Sequence, residues 1–437
     1  MKTWLLEGKH ERFGRVILAA PFPEDTFFHI GIRTERTMRE SLGLIHIASY
    51  LISFGWNFSP VVSADEKEFI FLCQNSYIGL SAQLDSYRAC VHFARIAKES
   101  GANSVFLGGP YASVRSEQII LHQKHIDYVV VGQGEVATLD IITGKILKKG
   151  AIKNTPLPID KLPARARSLW TTETSFMGNK ATLVNWSDGC IQALHQPCFF
   201  CSICHSVKIS RRKVSQVIEE LKELSKMGYR SIEIGSDDFP GIVSEKWLEE
   251  LYEALQINKL SFDIYLHSRA RSIKGKKLAL LKKIGVKIIQ VGFETASVSL
   301  KKDYADKATL IEEDELIDRF LQLDLKLSPS FIIGFIGETQ KTVQETYTRI
   351  QSLKKKNVLA GVLLDPLIAL PGSSAFAKLC ENHPRWKDAD FIEPEKIMRV
   401  WFKENTKISL DIFLQEREQI LSDMPKNVFI QSLLMKL

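Results

Sequence analysis

Strand pattern and helix pattern alternate along most of this chain, in two separate runs. A strand, a helix and a further strand can rejoin one sheet only through a crossover, which makes the strands parallel. The first run covers residues 15–137. Its strand-like segments are 15–20, 69–72, 77–81, 104–107 and 127–131. Between them lie a helical face of Leu42, Ile45, Ala48, Leu51 and Ile52 and helical runs at 87–98 and 116–122. This predicts a doubly wound, Rossmann-like unit. The second run has strands at 181–186, 231–235, 261–267, 287–292, 326–334 and 360–365. Helices are expected between them at 214–227, 245–255, 276–284, 311–323 and 341–355. Six βα units fit a partial parallel barrel, (β/α)6, better than a closed eightfold one. Pro156, Pro158 and Pro163 mark the connector. The expected organisation is an α/β chain: a Rossmann-like unit over 1–140, a connector over 141–180, a partial barrel over 181–375 and a mostly helical capping segment over 376–437.

In both architectures ligands bind beyond the C-terminal ends of the strands. In the first unit those ends carry Ser81, Gly108-Gly109-Pro110 and Gly132-Gln-Gly-Glu135. Glycine lets a ligand approach the backbone closely, although the same residues also serve plain tight turns. A Gly-x-Gly-x-x-Gly fingerprint is absent after the first strand, so NAD is not expected. In the second unit the strand ends carry Asp237 and Asp238, Arg269, Glu294, and Gly334-Phe-Ile-Gly-Glu338. Paired acids also cap helices, and Glu294 and Arg269 could be mates in a buried ion pair. Gathered on one rim, however, acids, an arginine and glycines suit a zwitterionic, nucleoside-like ligand.

The same rim carries most of the cysteines. Of seven in 437 residues, Cys73, Cys90 and Cys380 stand alone in apolar or helical pattern and read as core. The other four lie in Asp188-Gly-Cys190-Ile-Gln-Ala-Leu-His195-Gln-Pro-Cys198-Phe-Phe-Cys201-Ser-Ile-Cys204. Cys190, Cys198 and Cys201 form Cys-x7-Cys-x2-Cys. An iron–sulfur cluster normally takes four cysteines, so three leave one iron open to substrate or cofactor. Zinc is the rival, on Cys198, Cys201 and Cys204 with His195 or His205. Cys198, Cys201 and Cys204 are also the alternative cluster trio, with both gaps of two.

Hydrophobic content of 45% and charged content of 25% are ordinary for a globular chain that needs no metal to fold. Net charge is +7, and the lysines at 274–277 and 354–356 read as solvated helix faces. No basic stripe interleaved with aromatics argues for nucleic acid, whereas an anionic small substrate fits the charge. The longest apolar stretch, 358–370, is too short for a bilayer and contains Asp365 and Pro366. Glu7, Lys9, Glu11 and Arg12 interrupt the N-terminal apolar run, which is not a secretory signal. The expected setting is cytoplasmic, where thiols stay reduced, with no membrane partner.

Taken in order, these motifs resemble the cobalamin-dependent radical S-adenosylmethionine (SAM) enzymes. The resemblance spans residues 15–376. In the first unit it rests on Ser41-Leu-Gly-Leu44, Ile78-Gly-Leu-Ser81, Gly108-Gly-Pro110 and Asp127-Tyr-Val-Val-Val-Gly-Gln-Gly-Glu135. In the second it rests on Asp188-Gly-Cys190 with Cys198-Phe-Phe-Cys201, Asp237-Asp-Phe239, Arg269, Gly292-Phe-Glu-Thr295, Ile333-Gly-Phe-Ile-Gly-Glu-Thr339 and Pro371-Gly-Ser373.

The resemblance implies a [4Fe–4S] cluster on Cys190, Cys198 and Cys201. Its open iron would bind SAM and cleave it to methionine and a 5′-deoxyadenosyl radical. Asp237 and Asp238 would approach the methionyl ammonium, Arg269 or Glu294 the carboxylate or ribose, and Gly334–Glu338 the adenosine. Cobalamin would lie along Ser81, Gly108, Gly109, Gly132 and Glu135; no Asp-x-His-x-x-Gly motif offers it a histidine ligand. The implied reaction is methyl transfer to an unactivated carbon or phosphinate centre of a small natural-product intermediate. Rearrangement, cyclisation or decarboxylation is the alternative, and a non-catalytic sensor or carrier the third. A reductant such as flavodoxin or ferredoxin is implied as partner. The family's usual first gap is three residues where this chain has seven, and Ile336 stands where proline is common.

Overall fold

The computed structural model describes residues 1–22, 41–170, 174–202, 208–304 and 308–425. Cys204 and His205 lie outside the described residues. The chain opens on a hairpin of β1 (Lys2–His10), which the sequence does not announce, and β2 (Gly14–Pro21), the strand expected at 15–20. α1 (Leu42–Ile52) follows, then the short strands β3 (Asn57–Phe58) and β4 (Val62–Asp65), both paired with β1. Next come α2 (Glu66–Cys73), β5 (Ser76–Ser81), α3 (Tyr87–Glu99) and β6 (Ser104–Gly108). The unit ends with α4 (Pro110–Val114), α5 (Ser116–His122), β7 (Tyr128–Val131), α6 (Glu135–Ile142) and β8 (Gly150–Lys153). β2, β5, β6, β7 and β8 lie side by side and parallel. From β2 the chain first crosses to the β3/β4 edge, then returns to pair β5 on the other side, so the winding reverses at β2. Helices cover both faces, α2, α3, α4 and α5 on one and α1 and α6 on the other. The unit is therefore doubly wound, as expected. β8 carries its sheet past residue 140.

One expectation fails here. Residues 69–72, read as a strand, belong to α2. The Asp65 side chain accepts from the Glu68 amide, and the Glu68 carboxylate accepts from the Asp65 amide. This reciprocal capping box satisfies amides that would otherwise be orphaned and starts a helix despite the apolar run.

The connector touches both units. The Ala166 amide donates to Ser49 Oγ in the first unit (2.9 Å), and the Val61 amide to Leu169 O (2.8 Å). Arg167 donates to Leu183 O and to Glu220 in the second.

The second sheet begins with β9 (Thr174–Phe176), antiparallel to β10 (Asn179–Val184). A short ladder follows, β11 (Ser187–Asp188) on β12 (Ser210–Arg211), with α7 (Ile191–His195) between them. Then come α8 (Val214–Lys226), β13 (Ser231–Ile234), α9 (Phe239–Ile242), α10 (Glu245–Ile257) and β14 (Asp263–Arg269). α11 (Lys277–Lys283), β15 (Val286–Glu294), α12 (Val298–Tyr304) and α13 (Leu310–Gln322) follow. The run ends with β16 (Lys326–Ile333), α14 (Gln340–Lys355) and β17 (Leu363–Pro366). β10, β13, β14, β15, β16 and β17 are parallel neighbours in that order, the six strands read from the sequence. Ile232, Ile234, Ile264, Leu266, Ile289 and Val291 pack outward against Val217, Leu221, Leu248, Leu251 and Leu281 of the helices. Because side chains alternate along a strand, Glu233, Tyr265, His267 and Gln290 fall on the opposite, inner face.

The C-terminal segment is helical, as expected: α15 (Ser374–Asn382), α16 (Pro394–Asn405) and α17 (Leu410–Ser422). Between α15 and α16 the chain docks on the first unit. Tyr87 Oη and Gln123 Nε2 donate to the Asp390 carboxylate, Tyr111 Oη donates to Asp390 O (2.7 Å), and Arg115 donates to the carbonyls of Trp386 and Ala389.

Candidate functional site

The cysteine loop leaves the end of β10 on a fixed root. Trp186 is fully buried, and its Nε1 donates to Glu220 (3.0 Å). Asn185 Nδ2 donates to Asp188 (2.8 Å), and Asn185 Oδ1 accepts from Ser236 Oγ (3.0 Å). The long first gap has a structural cause: α7 occupies five of the seven residues between Cys190 and Cys198. Cys198 and Cys201 share a tight turn, in which the Cys201 amide donates to Cys198 O (3.0 Å). The two phenylalanines between them anchor the turn. Phe199 packs on Tyr304 and Trp401, Phe200 on Phe335, and Phe199 O accepts from the Ala375 amide.

All three thiols are half-buried. Burial pushes the Cys190 thiol up; the Asp238 charge adds to this and Arg269 opposes it. Among the described residues no three His, Cys, Asp or Glu side chains converge into a ready metal site. The donor chemistry nevertheless fits an iron–sulfur cluster: three soft sulfur ligands on one loop, each reachable, at the C-terminal edge of a parallel sheet.

Under Cys190 the rim gathers Asp238, Arg269 and Glu294. Asp238 is almost fully buried, which raises its carboxyl pKa. Its oxygens accept from Ser272 Oγ (2.6 Å), Ser268 Oγ (3.4 Å) and the Arg269 amide (3.3 Å). It therefore ties the end of β14 to the loop after β13. Asp237 beside it opens to solvent. Arg269 is the last residue of β14 and pairs in register with Gly292. Glu294 sits at a bulge between β15 and β16 with φ +61°, a left-handed conformation unusual for a residue with a side chain. A Cβ at Gly292 would strike Glu294 Oε1, so the carboxyl lies directly over that glycine. Strain and a side-chain-free neighbour together hold Glu294 on the inner rim.

Gly334 and Glu338 are placed differently, beneath α16. Glu338 is fully buried and accepts from the Gly334 amide (3.1 Å), the Phe335 amide (3.3 Å) and Thr342 Oγ1 (2.5 Å). Trp401 Nε1 donates to Gly334 O (2.7 Å), and the Lys407 amide to Glu338 O (2.8 Å).

In the first unit Ser81 and Gly108 are register partners at adjacent strand ends. Gly108 faces open space, while Gly109, at φ +98°, lies so close to Ala82 that a Cβ would come within 2.6 Å of its carbonyl oxygen. The Gly132 amide donates to Ser113 Oγ (3.0 Å). This edge presents mostly backbone with open space at Gly108, which leaves room for the tail of a large ligand. Glu135 lies apart, buried at the start of α6 with Oε1 3.8 Å from His46 Nδ1. Burial, with the Asp188 charge adding to it, raises the Glu135 pKa to about 7. Burial and then Arg165 lower that of His46. The two units meet at this layer, where Leu42 also comes close to Gly235.

The sequence reading missed the inner face of the barrel. Glu233 is 1% exposed and lies 3.1 Å from His267 Nε2, which is 30% exposed; Tyr265 Oη donates to Gln290 (2.5 Å). The signal was available: a glutamate alternating with isoleucine inside an otherwise apolar strand marks a polar lumen.

Residues 184–350 match the model of the Radical SAM superfamily. That span holds the cysteine loop, the Asp238–Arg269–Glu294 rim and the sheet from β13 through β16, and the chain carries a radical SAM domain. Over 313 residues it is 26% identical to the anaerobic magnesium-protoporphyrin IX monomethyl ester cyclase of Rubrivivax gelatinosus, covering 64% of this chain and 55% of that protein. Over 294 residues it is 25% identical to an uncharacterized methyltransferase of Pyrococcus horikoshii, covering 62% of each. The chain spans about half the length of the cyclases it matches, 55% of one and 45% of another. In fold it is similar to the radical SAM methyltransferase TsrM of Kitasatospora setae, solved with cobalamin and a [4Fe–4S] cluster bound (TM-score 0.64, 11% identity, 79% of this chain and 72% of that one). It is also similar to the cobalamin-dependent radical SAM enzyme OxsB with aqua-cobalamin bound (TM-score 0.63, 14% identity, 85% and 61%). Among the described residues no helix is long and apolar enough to cross a membrane.

Proposed function

We propose that this chain is a cobalamin-dependent radical SAM enzyme that methylates a small natural-product intermediate at an unactivated carbon or phosphinate centre. The observation that carries the reading is the meeting of two sheet edges. The start of α6, which follows the glycine-rich strand end of the doubly wound unit, lies near the root of the cysteine loop, with Glu135 and Asp188 in electrostatic reach of each other and Leu42 close to Gly235. The cyclase relatives support a second outcome on the same scaffold, ring closure without methyl transfer.

Cys190, Cys198 and Cys201 would hold the cluster, and the Ser81–Gly108–Gly109–Gly132 edge the cobalamin. Bound there, these groups supply the electron that cleaves SAM and the methyl group to be transferred. The protein's own part is positioning. Arg269 offers a guanidinium to a carboxylate, and Glu294 and Asp237 offer carboxylates to an ammonium or to ribose hydroxyls. Phe199, packed on Tyr304 and Trp401, and Phe200, packed on Phe335, anchor the loop. His267, steadied by Glu233, presents a hydrogen-bonding ring to whatever enters the lumen.

Anaerobic purification with cobalamin supplied tests this. Four irons, four sulfides and one cobalt per chain are expected, with S-adenosylhomocysteine and 5′-deoxyadenosine both formed on methyl transfer. 5′-Deoxyadenosine alone, with a rearranged product, selects the cyclase-like outcome. A chain that binds no cobalt loses the first-unit assignment.

A further inference from the structure

Beside the cysteine loop lies a pocket that shares Asp238 and Arg269 with the rim but extends past them to residues the proposed chemistry does not use. Its cavity is about 300 Å³, lined by Ile191, Asp238, Gly241, Arg269, Arg271, Ser272, Lys274 and Lys277. Ile191 directly follows Cys190, so the pocket opens next to the first cluster ligand. Four of its eight lining residues are cations and one is an acid.

That acid already has protein partners. Asp238 is occupied by Ser272, Ser268 and the Arg269 amide, as described above. Gly241 is moulded against it, since a Cβ there would strike Asp238 Oδ2. Behind the wall, Glu312 holds Arg271 (3.0 Å) and Lys274 (2.5 Å). Glu245 Oε1 caps the Lys276 amide (3.2 Å) near Lys277. Lys277 is tethered by donating to Pro240 O (2.6 Å). The cations are thus held from behind, which fixes long side chains that would otherwise sample many rotamers. The lysines at 274–277 are not merely a solvated helix face, because two of them wall a cavity.

SAM is a poor match for this wall. It carries one carboxylate against an ammonium and a sulfonium, a net cation; that carboxylate can meet Arg269 but brings nothing to Arg271, Lys274 and Lys277. A phosphate or phosphonate group carries more charge and more acceptor oxygens than a carboxylate, and suits arginine and lysine together. We propose that the pocket binds the oxyanion group of the substrate, a phosphate or phosphonate borne by a small molecule. This names a substrate class for the enzyme reading above and rests on that reading for its function, though binding can be tested without it.

The test uses the full chain without cofactors, titrated calorimetrically with inorganic phosphate and with methylphosphonate at constant ionic strength, against acetate as the carboxylate control. Saturable binding of both phosphorus oxyanions, at least about tenfold tighter than acetate, is expected. Lys274→Gln, at a side chain 54% exposed, should weaken it about tenfold, as loss of one charge-assisted hydrogen bond does. Lys274→Arg should retain it, and Lys355→Gln at the exposed end of α14 should not change it. Acetate binding as tightly would mark a general cationic surface, of the kind that docks an acidic protein reductant, and would overturn the proposal. So would an unchanged affinity in folded Lys274→Gln. Competitive displacement of phosphate by SAM would assign the pocket to SAM's own carboxylate and overturn it too. Failure of the enzyme reading would show separately, as phosphate binding without any cleavage of SAM by the reconstituted chain.

Discussion

The two strand-end edges of this molecule are built from opposite materials. In the first unit Ser81, Gly108, Gly109 and Gly132 offer almost nothing but backbone, and Gly108 looks into open space. In the second, Asp237, Asp238, Arg269 and Glu294 offer charge, and each except Asp237 is braced by a hydrogen bond, a register pair or a strained backbone. An edge without side chains makes room for a large ligand, while an edge of braced charges grips a small zwitterion. Residue type at the strand ends therefore separates the two edges by the size and charge of ligand they suit, although both end parallel sheets.

The sharpest way to break the comparison is to disable one edge and watch the other. Cys190→Ala should remove the cluster, bring iron close to zero and cut SAM cleavage by roughly 10³-fold or more. Cobalt binding by the first unit should be unchanged. Iron retained in Cys190→Ala but lost in Cys204→Ala would replace the trio with Cys198, Cys201 and Cys204. Cobalt lost along with iron would show that the two edges are one site rather than two.

A second pair of variants separates room from structure within the backbone-floored edge. Gly109→Ala places a Cβ 2.6 Å from Ala82 O in a left-handed conformation. The loss should be about 2–4 kcal/mol, or a fall in Tm of roughly 5–10 °C by thermal melting. Gly108→Ala meets nothing within 4 Å and should stay within about 0.5 kcal/mol of the parent. It should nevertheless lower the cobalt content after reconstitution, because the methyl group projects into the open space where the ligand would lie. Unimpaired cobalt loading in Gly108→Ala would remove that glycine from the proposed contact.

Much of this was legible beforehand, for identifiable reasons. The six parallel strands of the second unit are buried on one face and packed on helices, so they stand out as short apolar runs ending in polar residues. β1 was not legible because Glu7 and Lys9 cut its apolar run to Trp4-Leu5-Leu6, although Leu5 and Leu6 are buried in the cores on opposite faces of the sheet. α2 was misread because Phe69-Ile70-Phe71-Leu72 is a continuous apolar run; only Asp65 and Glu68, reciprocally bonded, disclose the helix. The long cysteine gap was visible as a number, but that it folds as α7 depends on where Phe199 and Phe200 are anchored, which is tertiary. Glu338 shows the converse: a glutamate in a glycine-rich strand end looks ligand-facing, yet its carboxylate closes its own loop under α16.

Between the edges, Glu135 offers a test by pH. Its carboxyl is raised from 4.5 to about 7, so the folded chain holds that proton more tightly than the unfolded one. The stability this contributes is present below about pH 4.5 and is lost as pH rises toward 7, by up to about 3 kcal/mol for a shift of that size. His46, lowered by burial, works the other way below its ordinary value of 6.5. The difference between Glu135→Gln and the parent isolates the glutamate. The variant should gain on the parent between pH 5 and 8 in chemical denaturation, and a constant difference across that range would show that Glu135 does not titrate between the units.

The smallest effect concerns the segment that joins the two edges from outside. Tyr87 Oη donates to Asp390 (2.7 Å), while Gln123 donates to the same carboxylate and Arg115 holds the neighbouring carbonyls. Tyr87→Phe removes one hydrogen bond and leaves the others, including the ring's packing on Phe391 at 5.5 Å. A loss of about 1 kcal/mol is expected, enough to speed proteolytic cutting between α15 and α16 about fivefold if that segment opens before it is cut. Arg115→Ala, which frees several carbonyls at once, should speed it much more. If neither variant changes the cutting rate, the segment leaves the first unit only when the whole unit unfolds, and the C-terminal cap belongs to the core rather than lying over it.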